Sequence, residues 1–178
     1  MKLTINSRDA VIADVMRLDE LPAMSANDFI ETLGEIPWFV NLGNSSAAHS
    51  IDSWEEWPGP EDFNVEALHL QQQAWFDSFC DKGGKLPGGL QVVWDETNDT
   101  VLAEARNAVP FQDDKDPWHA PNMAVGQAAF TAGLVALFIA ADRPQPYPLQ
   151  QQWHLLTLGH WPCGYFDAEA TPLQLVVY

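Results

Sequence analysis

Eighteen consecutive residues without a charge, Ala124 to Ala141, constrain this sequence more than any other feature. A segment of that length and composition has to be buried, either in lipid or at the middle of a core. Its length meets the criterion for a membrane span. However, Gly126, Gln127, Thr131 and Gly133 interrupt it, alanine supplies much of the remainder, and no cluster of Lys or Arg flanks it to set an orientation. The expectation is a central core helix from Asn122 to about Asp142. Gly126, Ala129, Gly133, Ala136 and Ala140 form a small-residue stripe along it, where a neighbouring helix can come close. Met123, Phe130, Leu134, Leu137 and Phe138 form a large stripe that fills the core.

The rest of the chain reads as helices around that one. Val11, Ile12, Val15, Met16 and Leu18 recur at helical spacing after Ser7, and Phe29, Ile30 and Leu33 do so after a cap at Ser25 or Asn27. A third helix is expected from about Glu61 to Asp81, with Gly83-Gly84 as its stop signal. Leu90 to Trp94 reads as a short strand or the lead into a helix, and Thr97 to Val109 as a helix capped by Asn98 or Asp99. A last helix runs from Leu149 to Leu158 and ends at Gly159. Trp38 to Pro60, rich in Asn, Ser, Gly and Pro, reads as mostly loop. Leu173 to Tyr178 is β-prone and is expected to pair with Lys2 to Ile5 in a small two-stranded patch. The fold class is therefore mainly α: a single-domain bundle over residues 1–178, for which eight tryptophans and 47% apolar residues supply a core without disulfides.

Charge bounds the partners. The formal net charge is −17, and between Leu18 and Asp81 thirteen carboxylates stand with no Lys or Arg. Such a field repels phosphate backbones and anionic lipid, so neither nucleic acid nor a membrane surface is an expected partner, and a basic protein or a cation is. Acidity shared by a whole proteome, serving solubility alone, accounts for the same number. Cys80 and Cys163 follow no disulfide framework, and Asn6 to Asp9 end the apolar start of the chain too soon for an export signal. Both features suggest a cytoplasmic protein.

The standard catalytic signatures are missing from the sequence: it has no phosphate loop, nucleophile elbow, paired-histidine zinc helix or dinucleotide fingerprint. Cys163 with His160 and His154 offers an alternative, imidazole and thiolate groups of the kind that bind zinc or form a nucleophile and base, against the simpler reading of a packed turn. Asp113, Asp114, Asp116 and His119 share one loop but lack a calcium-loop pattern and read as a solvated acidic turn, so no metal and no cofactor is expected. Trp54 and Trp57 bracket Glu55 and Glu56, an arrangement better explained as anchoring of a loop than as a sugar platform. The glutamine triplets at 71–73 and 150–152 are too short a match to establish a repeat.

The tail Gly159-His160-Trp161-Pro162-Cys163-Gly164-Tyr165, followed by Pro172 to Tyr178, resembles the ends of small uncharacterised bacterial cytoplasmic proteins, some of toxin-immunity type. The resemblance implies a non-enzymatic acidic protein that binds and blocks a basic toxin or enzyme. Asp52, Trp54, Glu55, Glu56, Trp57, Glu61, Asp62 and Glu66 are the candidate partner-binding residues, the tryptophans as anchors. An enzyme using the Cys/His cluster and a structural or assembly subunit are the alternatives.

Overall fold

The charge-free segment folds as the helix its composition demands. In the computed structural model, which describes residues 3–5, 11–13, 23–40, 64–108, 120–165 and 175–177, it forms helix α4, Ala120–Ala140. Ala124, Val125, Ala128, Ala129 and Ala132 are buried, and so is every residue from Leu134 to Phe138. The stretch Asn122–Ala140 is long and apolar enough to cross a membrane, but 72% of its apolar window is buried by the protein itself.

Before it come β1 (Leu3–Ile5), β2 (Val11–Ala13), α1 (Ala26–Thr32) with a 3-10 turn at Leu33–Glu35, α2 (Val65–Asp77) and α3 (Gly88–Ala108). After it come α5 (Tyr147–Thr157), β3 (Pro162–Tyr165) and β4 (Leu175–Val177). The described chain is thus mainly helical, with α4 at its centre.

The small-residue stripe does what its spacing suggests. α3 packs along α4, and at Gly133 a Cβ would meet the Trp94 ring at 2.7 Å and Asn98 Nδ2 at 2.9 Å. Only a hydrogen there lets α3 sit this close. Trp94 is held in place by Phe76 of α2, with ring centroids 4.8 Å apart, and by the edge of Phe130 of α4 at 5.1 Å. On the other side α5 brings Trp153 against Phe29 of α1 at 5.1 Å and Trp38 at 6.1 Å.

The ends of the helices follow their local chemistry. Ser25 and Asp28 form a reciprocal capping box on α1, each side chain accepting the other's backbone N–H at 3.2 Å. Asn64 caps α2 through Ala67 N at 2.8 Å, and its own N–H donates to Tyr165 O, tying the start of α2 to β3. After α5, Gly159 takes φ +78° where a Cβ would lie 2.5 Å from Pro37 O, so both backbone conformation and space require glycine.

Several expectations are corrected. The third helix is shorter than expected: it begins at Val65, behind the Asn64 cap, and ends at Asp77. Its expected stop signal lies in the following turn, where Asp81 Oδ1 accepts from Gly83 N at 2.7 Å and Lys85 N at 3.1 Å. Leu90 to Trp94 is neither a strand nor a separate lead: α3 runs unbroken from Gly88. Asn98 does not cap it, because its amide bonds back to Trp94 O at 2.8 Å, as Thr97 does to Val93 O at 2.7 Å. Val11–Ala13, expected as helix, is extended and pairs antiparallel with both β1 and β4.

The terminal segments do share one sheet, but with β2 between them. The order is β1-β2-β4-β3. β3, expected as a turn, pairs antiparallel with β4, with a register shift between Pro162 and Gly164 that leaves Cys163 as the extra residue.

Candidate functional site

Of the residues expected to bind a partner, Asp52, Trp54, Glu55, Glu56, Trp57, Glu61 and Asp62 lie outside the described residues, as do Asp113, Asp114, Asp116 and His119. Glu66 is exposed in the first turn of α2. The described surface adds exposed carboxylates on two further parts of the fold that pack together. α1 and its 3-10 turn pack against α3; Asp28, Glu31 and Glu35 are exposed on the first pair, and Asp95, Glu96 and Asp99 on the second. Arg106 is the only Lys or Arg on these elements. Asp28 accepts from Ser25, and Asp95 accepts from Gln91 Nε2 at 2.9 Å. Both of these partners are neutral, so these bonds order the carboxylates without cancelling their charge. Sixty residues separate the two groups in sequence, on elements that pack against each other.

The Cys/His cluster is placed differently from what a nucleophile needs. Cys163 is 1% exposed within β3 and its thiol donates to Trp161 O at 3.2 Å. A group sealed to that degree behaves as a small hydrophobe, because substrate cannot reach it. His154 is half-buried on α5, and His160 is half-buried in the turn before β3, where burial lowers its pKa. Among the described residues, no group of three or more His, Cys, Asp or Glu side chains is placed to hold a metal ion.

The two glutamine triplets meet inside the protein. Gln72 of α2 spends both Nε2 hydrogens, one on Thr131 Oγ1 of α4 at 3.0 Å and one on Gln152 Oε1 of α5 at 2.8 Å. Gln152 Nε2 in turn donates to Gln71 Oε1 at 3.3 Å and Tyr165 OH at 3.4 Å, and Tyr165 OH donates to Gln71 Oε1. Burial raises the Tyr165 pKa, with the bonds from Gln152 and to Gln71 opposing that shift. This network links α2, α4, α5 and β3 through neutral groups, each needing the others because a buried amide without partners is unfavourable.

Beside the network a cavity of about 390 Å³ opens between α2 and α4. α2 contributes His69, Gln72 and Gln73; α4 contributes Met123, Gly126, Gln127 and Phe130. Gln127 is 7% exposed. Its Oε1 accepts the indole N–H of Trp161 at 2.8 Å, while its buried Nε2 has no acceptor among the described residues. Partial burial lowers the His69 pKa. None of these lining residues was singled out from the sequence as a site. The one signal available was Gln127 itself, an amide in the most apolar segment of the chain. In comparisons with protein-family models, curated proteins and solved structures, nothing matches this chain.

Proposed function

We propose that this protein is a non-catalytic binding protein whose acidic surface engages a basic protein. The observation that carries this reading is the set of six exposed carboxylates on α1, its 3-10 turn and α3, elements that pack together and carry Arg106 as their only Lys or Arg. A concentration of one sign of charge raises the encounter rate with an oppositely charged partner by about 10 to 10³-fold and suppresses binding to anions. The sequence around it adds to the field, since Asp52, Glu55, Glu56, Glu61, Asp62 and Glu66 belong to the same stretch without Lys or Arg. The resemblance of the tail makes a bacterial cytoplasmic immunity protein, blocking a basic toxin or enzyme, the specific form of the proposal.

The test is capture from lysate of the source cell at low salt, elution with a salt gradient, and repetition with the triple variant Asp95→Asn, Glu96→Gln, Asp99→Asn. The wild type should retain a protein of high isoelectric point that salt releases, and the triple variant should bind it more weakly, chiefly through slower association. Retention of only neutral or acidic proteins, or equal capture by the triple variant, would refute the reading.

A further inference from the structure

On its α4 side the cavity beside α2 is lined by Met123 and Phe130, and between them Gly126 leaves open space, with no neighbouring atom within 4 Å of where a Cβ would be. A thioether and a phenyl ring favour an apolar or aromatic occupant, through burial and through sulfur and ring contacts. At about 390 Å³ the volume lies near the lower end of the roughly 300–1,000 Å³ typical of ligand pockets, room for one side chain rather than an extended molecule.

α2 sets the charge around that opening. Residues three, four or seven apart share a face of a helix, which puts Glu66, His69, Gln73 and Asp77 in one stripe. His69 and Gln73 line the cavity, and Gln73 Nε2 donates to Asp77 Oδ1 at 2.8 Å, which holds that carboxylate beside the lining. Glu66 and Asp77 are both exposed, one turn beyond the lining residues at either end. α2 carries no Lys or Arg. Arg143, which reaches the turn after it, is committed to Ser78 and to the rings of Phe79 and Phe138. Leu70, 62% exposed, lies between Glu66 and Gln73 on the same helix surface and extends the apolar area outside the cavity.

An apolar opening flanked by carboxylates is complementary to an apolar side chain flanked by cations. We infer that the cavity between α2 and α4 takes one aromatic side chain of the partner, with Lys or Arg on either side of it meeting Glu66 and Asp77. Each carboxylate lies about 8 Å along the helix axis from the middle of the lining, the span of about two to three residues of extended chain. The recognised segment is therefore extended, with basic residues two or three positions before and after the aromatic one. The inference rests on the reading of the partner as a basic protein, and adds where that partner is anchored, on helices other than α1 and α3.

The experiment is titration of the full chain, by calorimetry and ligand-observed NMR, with the capped peptide Lys-Lys-Gly-Phe-Gly-Lys-Lys, its analogue with Ala in place of Phe, and its analogue with Glu in place of every Lys. The first should bind saturably, the Ala analogue at least about tenfold more weakly because it leaves the cavity unfilled, and the Glu analogue not at all. Gly126→Leu places a side chain in the open part of the cavity, and leucine is a better helix former than glycine, so a melting curve should show the fold retained. It should weaken the Phe peptide at least about tenfold, and Glu66→Gln with Asp77→Asn should weaken it about threefold or more. No binding of the Phe peptide, equal binding of the Phe and Ala peptides by the wild type, or binding that either variant leaves intact would overturn the inference. Capture of a basic protein that the α3 triple variant weakens and Gly126→Leu does not would remove this inference alone and leave the basic-partner reading standing.

Discussion

Two glycines seven residues apart on α4 allow the packing of α3 to be tested with one kind of substitution. Replacing glycine by alanine within a helix stabilises it by about 0.5–1 kcal/mol, because alanine loses less backbone entropy on folding. At Gly126 nothing stands within 4 Å of the new methyl group, so Gly126→Ala should show that gain in full. At Gly133 the methyl would sit 2.7–2.9 Å from two Trp94 ring atoms and Asn98 Nδ2. Trp94 cannot easily yield, since Phe76 and Phe130 hold its ring at 4.8 and 5.1 Å. Overpacking of this kind costs about 1–3 kcal/mol, so Gly133→Ala should be neutral to destabilising despite its better helix propensity. The difference between the variants is the overpacking itself, roughly 2–12 °C in melting temperature for a domain of this size. Thermal unfolding followed by far-UV circular dichroism measures both. If Gly133→Ala melts as high as Gly126→Ala, α3 does not rest on that stripe and the described packing is wrong.

Gly159→Ala should destabilise by about 2–4 kcal/mol in urea unfolding, because φ +78° disfavours a side chain and Pro37 O would lie 2.5 Å from the methyl. Gln152→Leu should lower stability by about 1–3 kcal/mol, since it removes the acceptor of Gln72 Nε2 and a donor to Gln71 and Tyr165. Exposed Gln73→Leu, which loses only a surface bond to Asp77, should stay within about 0.5 kcal/mol of the wild type. Burial lowers the folded-state pKa of His160, so the unfolded chain takes up its proton first as pH falls through about 6.5 and stability declines on acidification. Melting temperatures between pH 7.5 and 6 should therefore fall less steeply for His160→Gln than for the wild type. Cys163 should stay unlabelled by a thiol reagent until the protein unfolds. Cys80 should react in the native state but slowly, its pKa raised first by burial and then by Asp77 and Asp81.

How much of this was legible in the sequence depended on whether the deciding interaction was local. α4 was legible because eighteen residues without a charge admit few alternatives, and the cap of α1 was narrowed to Ser25 or Asn27, between which the bond from Asp28 N to Ser25 Oγ decides. The start of α3 was missed because Thr97 and Asn98 can cap a helix or bond back into one, and only the carbonyls of Val93 and Trp94 decide which. Val11–Ala13 fits helical spacing as well as it fits a strand, and its identity rests on pairing with β4 at the other end of the chain. The exposed carboxylates of α3 escaped as well, since Asp95, Glu96 and Asp99 fall outside the stretch without Lys or Arg, and that α3 packs on α1 is a matter of tertiary structure.

The glutamine triplets extend this reasoning to the interior. A repeat and a reciprocal network leave the same mark on a sequence, yet they differ in what each residue requires. A buried primary amide presents donors and an acceptor together, and a second glutamine is among the few side chains that can match both. Gln72 and Gln152, 80 positions apart, satisfy one another, with Tyr165 completing the circuit. Gln71 and Gln72 of the first triplet meet only Gln152 of the second, whereas Gln73 bonds Asp77 and Gln150 bonds Gln145 O, so the complementarity rests on three of the six glutamines. Gln127 lies beside this arrangement, satisfied at its oxygen and unmatched at its nitrogen. Gln145 and Gln151 likewise keep a buried Oε1 without a partner among the described residues, so the pairing of Gln72 with Gln152 is one solution that the interior reaches and not a rule that it follows throughout.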